Sequence, residues 1–211
     1  MSRLRTSSLV VSLLLAAQAL AQDVTWFQKD LPAALDAAKE CKAKMVFLYC
    51  WRAEHEGCKS MFSGTLSDKS VTAMMADFVC KDAKKDMPDG KAILDKYKVD
   101  RLPTVLFLQP DGTVVDVVQG YVPVQQFKDE VTRILKGEHT LTALRQEVEK
   151  SPDNLGLLLQ LARKQRAVND RDAAAKTLAA IVAKDPKAKT EDGAEVADER
   201  HQEVALLERE R

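Results

Sequence analysis

The sequence has no excess of charge of either sign: 32 lysines and arginines stand against 32 aspartates and glutamates. Proteins that grip nucleic acid by its phosphates carry a basic surplus, so the balance argues against a nucleic-acid partner. After the N-terminus there is also no apolar run of the about 20 residues that a bilayer span needs. Cysteine is scarce, at Cys41, Cys50, Cys58 and Cys80. Cys50, His55 and Cys58 do not have the spacing of a zinc module, and Cys50 falls in an apolar run expected to face the core. No metal and no cofactor is therefore expected. What the chain does have is an apolar fraction of 45%, enough to build a core.

The first residues read as a targeting segment. Arg3 and Arg5 supply a positive start, Leu9 to Leu20 a short apolar stretch, and Ala19-Leu20-Ala21 a small-x-small cleavage pattern. Residues 1–21 are expected to be removed as a signal peptide, leaving no membrane span. Gln22 rather than a cysteine follows the cut, which argues against a lipid anchor. The mature protein is expected to be exported, periplasmic or extracellular, where disulfides persist.

Leu31, Ala34, Leu35, Ala38 and Cys41 recur at helical spacing and predict an amphipathic helix over residues 31–42, with Cys41 on its apolar face. Met45 to Trp51 is a continuous apolar run, as in a strand covered on both faces. A helix starting near His55 carries Cys58, Met61 and Phe62 inward, and Ser67 caps a further turn. Phe78 to Asp82 reads as a strand, Lys81 to Asp86 as exposed loop and residues 86–90 as a polar loop. A brief helix follows at Ala92 to Tyr97. Val105 to Leu108 and Thr113 to Val118, joined by Gln109-Pro110-Asp111-Gly112, form a hairpin. Val124, Phe127, Val131, Ile134 and Leu135 close the unit with a helix to residue 136. This order implies a three-layer α/β/α sandwich with a mixed sheet and a C-terminal hairpin, over residues 22–138.

The motifs Met45-Val-Phe-Leu-Tyr-Cys-Trp51, Glu54-His-Glu-Gly-Cys-Lys59, Arg101-Leu-Pro-Thr104, Pro110-Asp-Gly112 and Gly120-Tyr121 appear in that order over residues 24–136. In this they resemble the thioredoxin superfamily, and the resemblance implies a thioredoxin fold. Cys58 and Lys59 match the second cysteine of the family's Cys-x-x-Cys and the lysine after it. His55 stands where the first cysteine would be, and Tyr49 where many members keep a buried acid. Pro103 matches a proline whose peptide bond is cis in the family. The resemblance makes Trp51, Leu102 and Pro103 candidate substrate-binding residues.

Dithiol exchange needs an exposed thiolate to attack and a second thiol to release the mixed disulfide. With His55 in the first position the attacker is gone, and exchange should be impaired. One reading is therefore an exported protein that binds polypeptide partners in the groove, within the cell envelope, without exchange chemistry. The alternative is a monothiol redox protein in which Cys58 is the catalytic residue and His55, three residues earlier, assists it. A third reading makes Cys58 structural. Cys50 and Cys80 fall in strands expected to be neighbours and are a possible disulfide, though four cysteines allow three complete pairings.

Past Gly137 the composition turns to alanine, leucine and charge. A helix is expected over residues 141–150. Pro152 and Pro186 then lie 34 residues apart, the period of a tetratricopeptide repeat. Leu158, Leu161, Ala162, Ala174 and Leu178 fall at repeat positions on two helices joined near Asn169-Asp170, with Gln165 in place of the large aromatic. Residues 139–187 thus resemble one degenerate repeat, which must pack against something else to bury its apolar face. Residues 188–211 form a charged tail, with a helix expected from Val196 and His201 solvated.

Overall fold

The computed structural model describes residues 24–41, 45–187 and 189. The expected signal peptide, most of the charged tail and His201 lie outside the described residues.

The chain opens with α1 (Leu31–Glu40), whose first turn is capped by Asp30 accepting from the Ala33 N–H at 3.0 Å. Strand β1 (Met45–Trp51) follows, then α2 (Glu56–Ser60), a single π-helical turn (Met61–Thr65) and α3 (Lys69–Met75). Next come β2 (Phe78–Lys84), α4 (Pro88–Lys96), β3 (Thr104–Leu108), β4 (Val114–Gln119) and α5 (Val124–Lys136). The sheet order is β2-β1-β3-β4, with β1 parallel to β2 and antiparallel to β3, and β3 antiparallel to β4.

Because β1 and β3 are central, their side chains are buried on both faces, which is why both are apolar without alternation. Phe47 and Tyr49 face Met61, Val71, Met75, Phe127 and Ile134 from the π turn, α3 and α5. Val46, Leu48 and Cys50 face Leu31, Ala34, Ala38, Ile93 and Leu94 from α1 and α4. The three layers are those the sequence implies. The hairpin turn also forms as read, with Gly112 at φ 88°, a conformation that costs glycine little.

Several local expectations are corrected. Helix α1 stops at Glu40, so the apolar face ends at Ala38 and Cys41, at its C-cap, is exposed rather than core. Asp68, not Ser67, caps α3, its carboxylate accepting from Ser70 N–H at 2.8 Å. Residues 81–84 continue β2, since pairing with Leu48 to Trp51 extends the strand to Lys84. The polar stretch at 88–90 is the first turn of α4, not loop. There a Cβ at Gly90 would lie 1.9 Å from the Lys84 carbonyl oxygen, so only glycine lets α4 start against the end of β2.

Beyond α5 come α6 (Leu141–Lys150), α7 (Leu155–Ala167) and α8 (Arg171–Lys184). Leu158, Ala162, Leu178 and Ile181 pack between α7 and α8. Gln165 is buried and accepts from the Thr177 hydroxyl at 2.8 Å, so a polar pair fills the place of the repeat's aromatic. Leu141, Leu144 and Leu161 close on Val114 of edge strand β4. The hairpin thereby finds the apolar cover it cannot supply itself. Among the described residues no helix is long and apolar enough to cross a membrane.

Candidate functional site

The site lies at the carboxyl end of β1, where the chain turns into α2. His55 is the N-cap of α2 with extended backbone (φ −100°, ψ 119°), and its side chain makes no cap hydrogen bond. Its carbonyl accepts from Cys58 N–H at 3.0 Å and Lys59 N–H at 3.1 Å, which winds the first turn. Lys59 is exposed and paired with Glu56 at 2.9 Å.

Gly57 separates the two sides of the site. A Cβ there would lie 3.2 Å from Pro103 Cδ and 3.2 Å from His55 Cε1, so its absence lets α2 close on the buried proline beneath the imidazole. The Leu102–Pro103 bond is cis, as the resemblance implies. His55 and Leu102 share one cavity, of about 460 Å³, with Arg52, Lys85, Arg101 and Gly120. Leu102, half-buried, stands outside the sheet ladder, and no hydrogen bond to its N–H or C=O forms among the described residues.

Cys58 opens the other way. It is 1% exposed and borders a second cavity, of about 580 Å³, with Trp26, Tyr49, Trp51 and Phe62. Trp51 is therefore parted from Leu102 and Pro103, the residues the resemblance grouped with it, and only Arg52 touches both cavities. Nor do His55 and Cys58 share a helical face. The cap residue's extended backbone takes its ring off the helix, and no side-chain hydrogen bond joins the two.

The neighbour of Cys58 is Tyr49, whose buried hydroxyl donates to the Cys58 carbonyl at 3.1 Å. Burial pushes the Tyr49 phenol well above its ordinary value, with the Cys58 and Cys50 thiols acting in the same direction, so it is no base near neutrality. Burial also raises the Cys58 thiol, while the Arg52 backbone acts weakly the other way. Trp51 is half-buried, and its indole N–H donates to Asp82 at 3.1 Å.

All four cysteines are free. The possible Cys50–Cys80 disulfide does not form: in the β1–β2 register Cys80 lies opposite Phe47 and Cys50 opposite Ala83, and the two thiols enter opposite faces of the sheet. Burial pushes each of these thiols up to about 12. Above pH 9 the unfolded chain releases protons that the folded chain keeps. Stability should then fall by about 1.4 kcal/mol per pH unit for each thiol until about pH 12. Urea midpoints at pH 8 and pH 10.5 should show this loss in the parent and a smaller one in Cys50→Ala/Cys80→Ala. Equal losses in the two proteins would refute the assignment.

Two residues that shape the site escaped the sequence reading. Trp26, in the segment before α1, pairs with Cys80 on the edge of β2, and Phe27 N–H donates to the Cys80 carbonyl at 2.7 Å. No motif marks it. Asp116, fully buried in β4, accepts from Lys164 of α7 at 2.8 Å and from Arg133 of α5 at 2.7 Å. Its signal was available, a lone acid within Val114-Val-Asp-Val-Val118.

Against known families, a thioredoxin-like domain matches residues 31–134 and a tetratricopeptide repeat matches residues 136–196. The chain is a thioredoxin-like domain with a tetratricopeptide-like extension. Similar solved structures include a thioredoxin from Thermus thermophilus, 27% identical over 54% of this chain and 88% of that one, with a TM-score of 0.48. Another is the oxidised C-terminal domain of DsbD from Neisseria meningitidis, 26% identical over 48% of this chain and 89% of that one, with a TM-score of 0.42. No curated protein matches the chain. In the thioredoxin-like domain the matched region runs from α1 into α5 and contains the cavity at His55 and all of the Cys58-side cavity except Trp26 and Gln28, while the extension accounts for α6 to α8.

Proposed function

We propose that this is an exported thioredoxin-like protein that binds extended polypeptide segments along Leu102 and is impaired in dithiol–disulfide exchange. The observation that carries the reading is the start of α2, where an exposed imidazole occupies the cap and the nearest thiol, Cys58, is buried and faces away. The N–H and C=O of Leu102 are free to extend the sheet by one segment, as in strand addition. The tetratricopeptide-like extension, a repeat type built for protein contacts, fits a binding role. Export rests on the pattern of residues 1–21, and a mature mass beginning at Gln22 is its check.

Monothiol chemistry at Cys58 is the weaker reading, because a buried thiol held above its ordinary value supplies little thiolate near neutrality. Binding is tested with reduced, carboxymethylated α-lactalbumin, an unfolded chain without free thiols. It should bind saturably, and Leu102→Asp should weaken it tenfold or more. Absence of binding, or equal affinity in the variant, would remove the groove from the account.

A further inference from the structure

The cavity on the Cys58 side shares only Arg52 with the cavity at Leu102, and its walls are rich in aromatic rings. Four rings stand in a row: Trp26 to Tyr49 at 6.0 Å and 30°, Tyr49 to Trp51 at 6.4 Å and 6°, Trp51 to Phe62 at 6.5 Å and 23°. Both tryptophans of the sequence are in it. Phe62 closes the row at the mouth with 49% of its surface in water. At about 580 Å³ the cavity is within the range of roughly 300–1,000 Å³ typical of small-molecule sites.

The charges that line the cavity are already paired, and the Lys84 ammonium stands over the Trp51 ring, 5.4 Å from its centroid. Lys59 meets Glu56 at 2.9 Å, Arg52 meets Asp86 at 3.6 Å, and Asp82 accepts from the Trp51 indole at 3.1 Å and from Lys81 at 3.3 Å. An ionic ligand would have to displace one of these partners, whereas a neutral one would not. Two acceptors remain at the rim. Gln28 spends one amide N–H on the Trp26 carbonyl, and among the described residues its carboxamide oxygen and second N–H have no partner. Ser63 donates its hydroxyl to the Lys59 carbonyl at 2.8 Å and keeps its lone pairs. Near-parallel rings favour offset stacking with a flat partner, and the two acceptors suit one that carries an N–H or O–H.

We infer that this cavity is a binding site for a neutral, planar aromatic small molecule bearing one hydrogen-bond donor, stacked on Trp51 and Phe62 above Cys58. The site is independent of the groove at Leu102.

N-Phenyl-1-naphthylamine is neutral, carries one N–H and a flat naphthyl ring that can stack, and it accepts excitation energy from tryptophan. Titrated into the full chain, it should quench tryptophan emission saturably at one molecule per protein. Phe62→Ser should weaken its Kd tenfold or more with an unchanged circular dichroism spectrum and unfolding midpoint. Ser63→Phe, which narrows the mouth, should weaken it as well and serves if Phe62→Ser is poorly folded. Met87→Ser removes another exposed apolar side chain, in a different cavity, and should leave Kd within twofold. Quenching without saturation would overturn the site. So would a Kd unchanged in both mouth variants, or lost equally in Met87→Ser.

Discussion

Insulin reduction by this protein, with dithiothreitol as electron source, should run near the uncatalysed rate, and His55→Cys should raise it by tenfold or more. In exchange a thiolate attacks one sulfur of the insulin disulfide, forming a mixed disulfide and releasing the other sulfur as thiolate. A second thiol then attacks the mixed bond and frees the substrate. At the start of α2 the parent offers for the first step only Cys58, which is 1% exposed, raised in pKa by burial, and turned from the Leu102 side, while the exposed Cys41 sits at the C-cap of α1, ahead of the opposite end of β1. Cys50, the thiol nearest to Cys58 in sequence, lies across the sheet, and Cys80 is buried. A thiol at position 55 would sit exposed at the cap, where the free amides of α2 stabilise a thiolate, with Cys58 one turn on to resolve the intermediate. Parent turnover comparable to a thioredoxin would end the proposal of impaired exchange. A His55→Cys variant that folds yet gains nothing would show that the missing first thiol is not what limits the site.

Asp116→Ala should lower stability by about 3–5 kcal/mol, the usual penalty for removing one partner of a buried ion cluster. Asp116 is fully buried and holds both oxygens to Lys164 Nζ at 2.8 Å and one to Arg133 at 2.7 Å. The two cations are themselves only 25% and 20% exposed, so losing the carboxylate leaves Lys164 short of both a partner and water, while Arg133 keeps Glu130 at 2.7 Å. The cluster ties α5 and α7 to β4, so its loss should also loosen the extension. Limited proteolysis of the variant should cut between α5 and α6 sooner than in the parent. Lys164→Met, which leaves the Arg133–Asp116 pair intact, should cost less. A urea-derived loss below about 1 kcal/mol for Asp116→Ala would show that β4 and the extension are held by Leu141, Leu144 and Leu161 alone.

Much of the architecture was written in the sequence itself. The unbroken run Met45 to Trp51, the turn at Pro110-Asp111-Gly112 and the helix at 141–150 follow from local rules of period, turn chemistry and capping, and each formed where those rules put it. The replacement of the first motif cysteine by His55 is equally a fact of sequence. Only the tertiary structure decided which face each thiol enters, because strand parity is set by register against a partner that the chain meets about 30 residues later. That register put Cys50 and Cys80 on opposite faces, carried β2 through Lys84, and let Gly90 admit the start of α4. It was likewise the cap geometry of His55, pressed over Gly57 and Pro103, that turned the imidazole and Cys58 into separate cavities. The ring row from Trp26 to Phe62 and the Asp116 cluster join residues 36 and 48 positions apart, distances over which local pattern carries no information and only the packed fold brings side chains together.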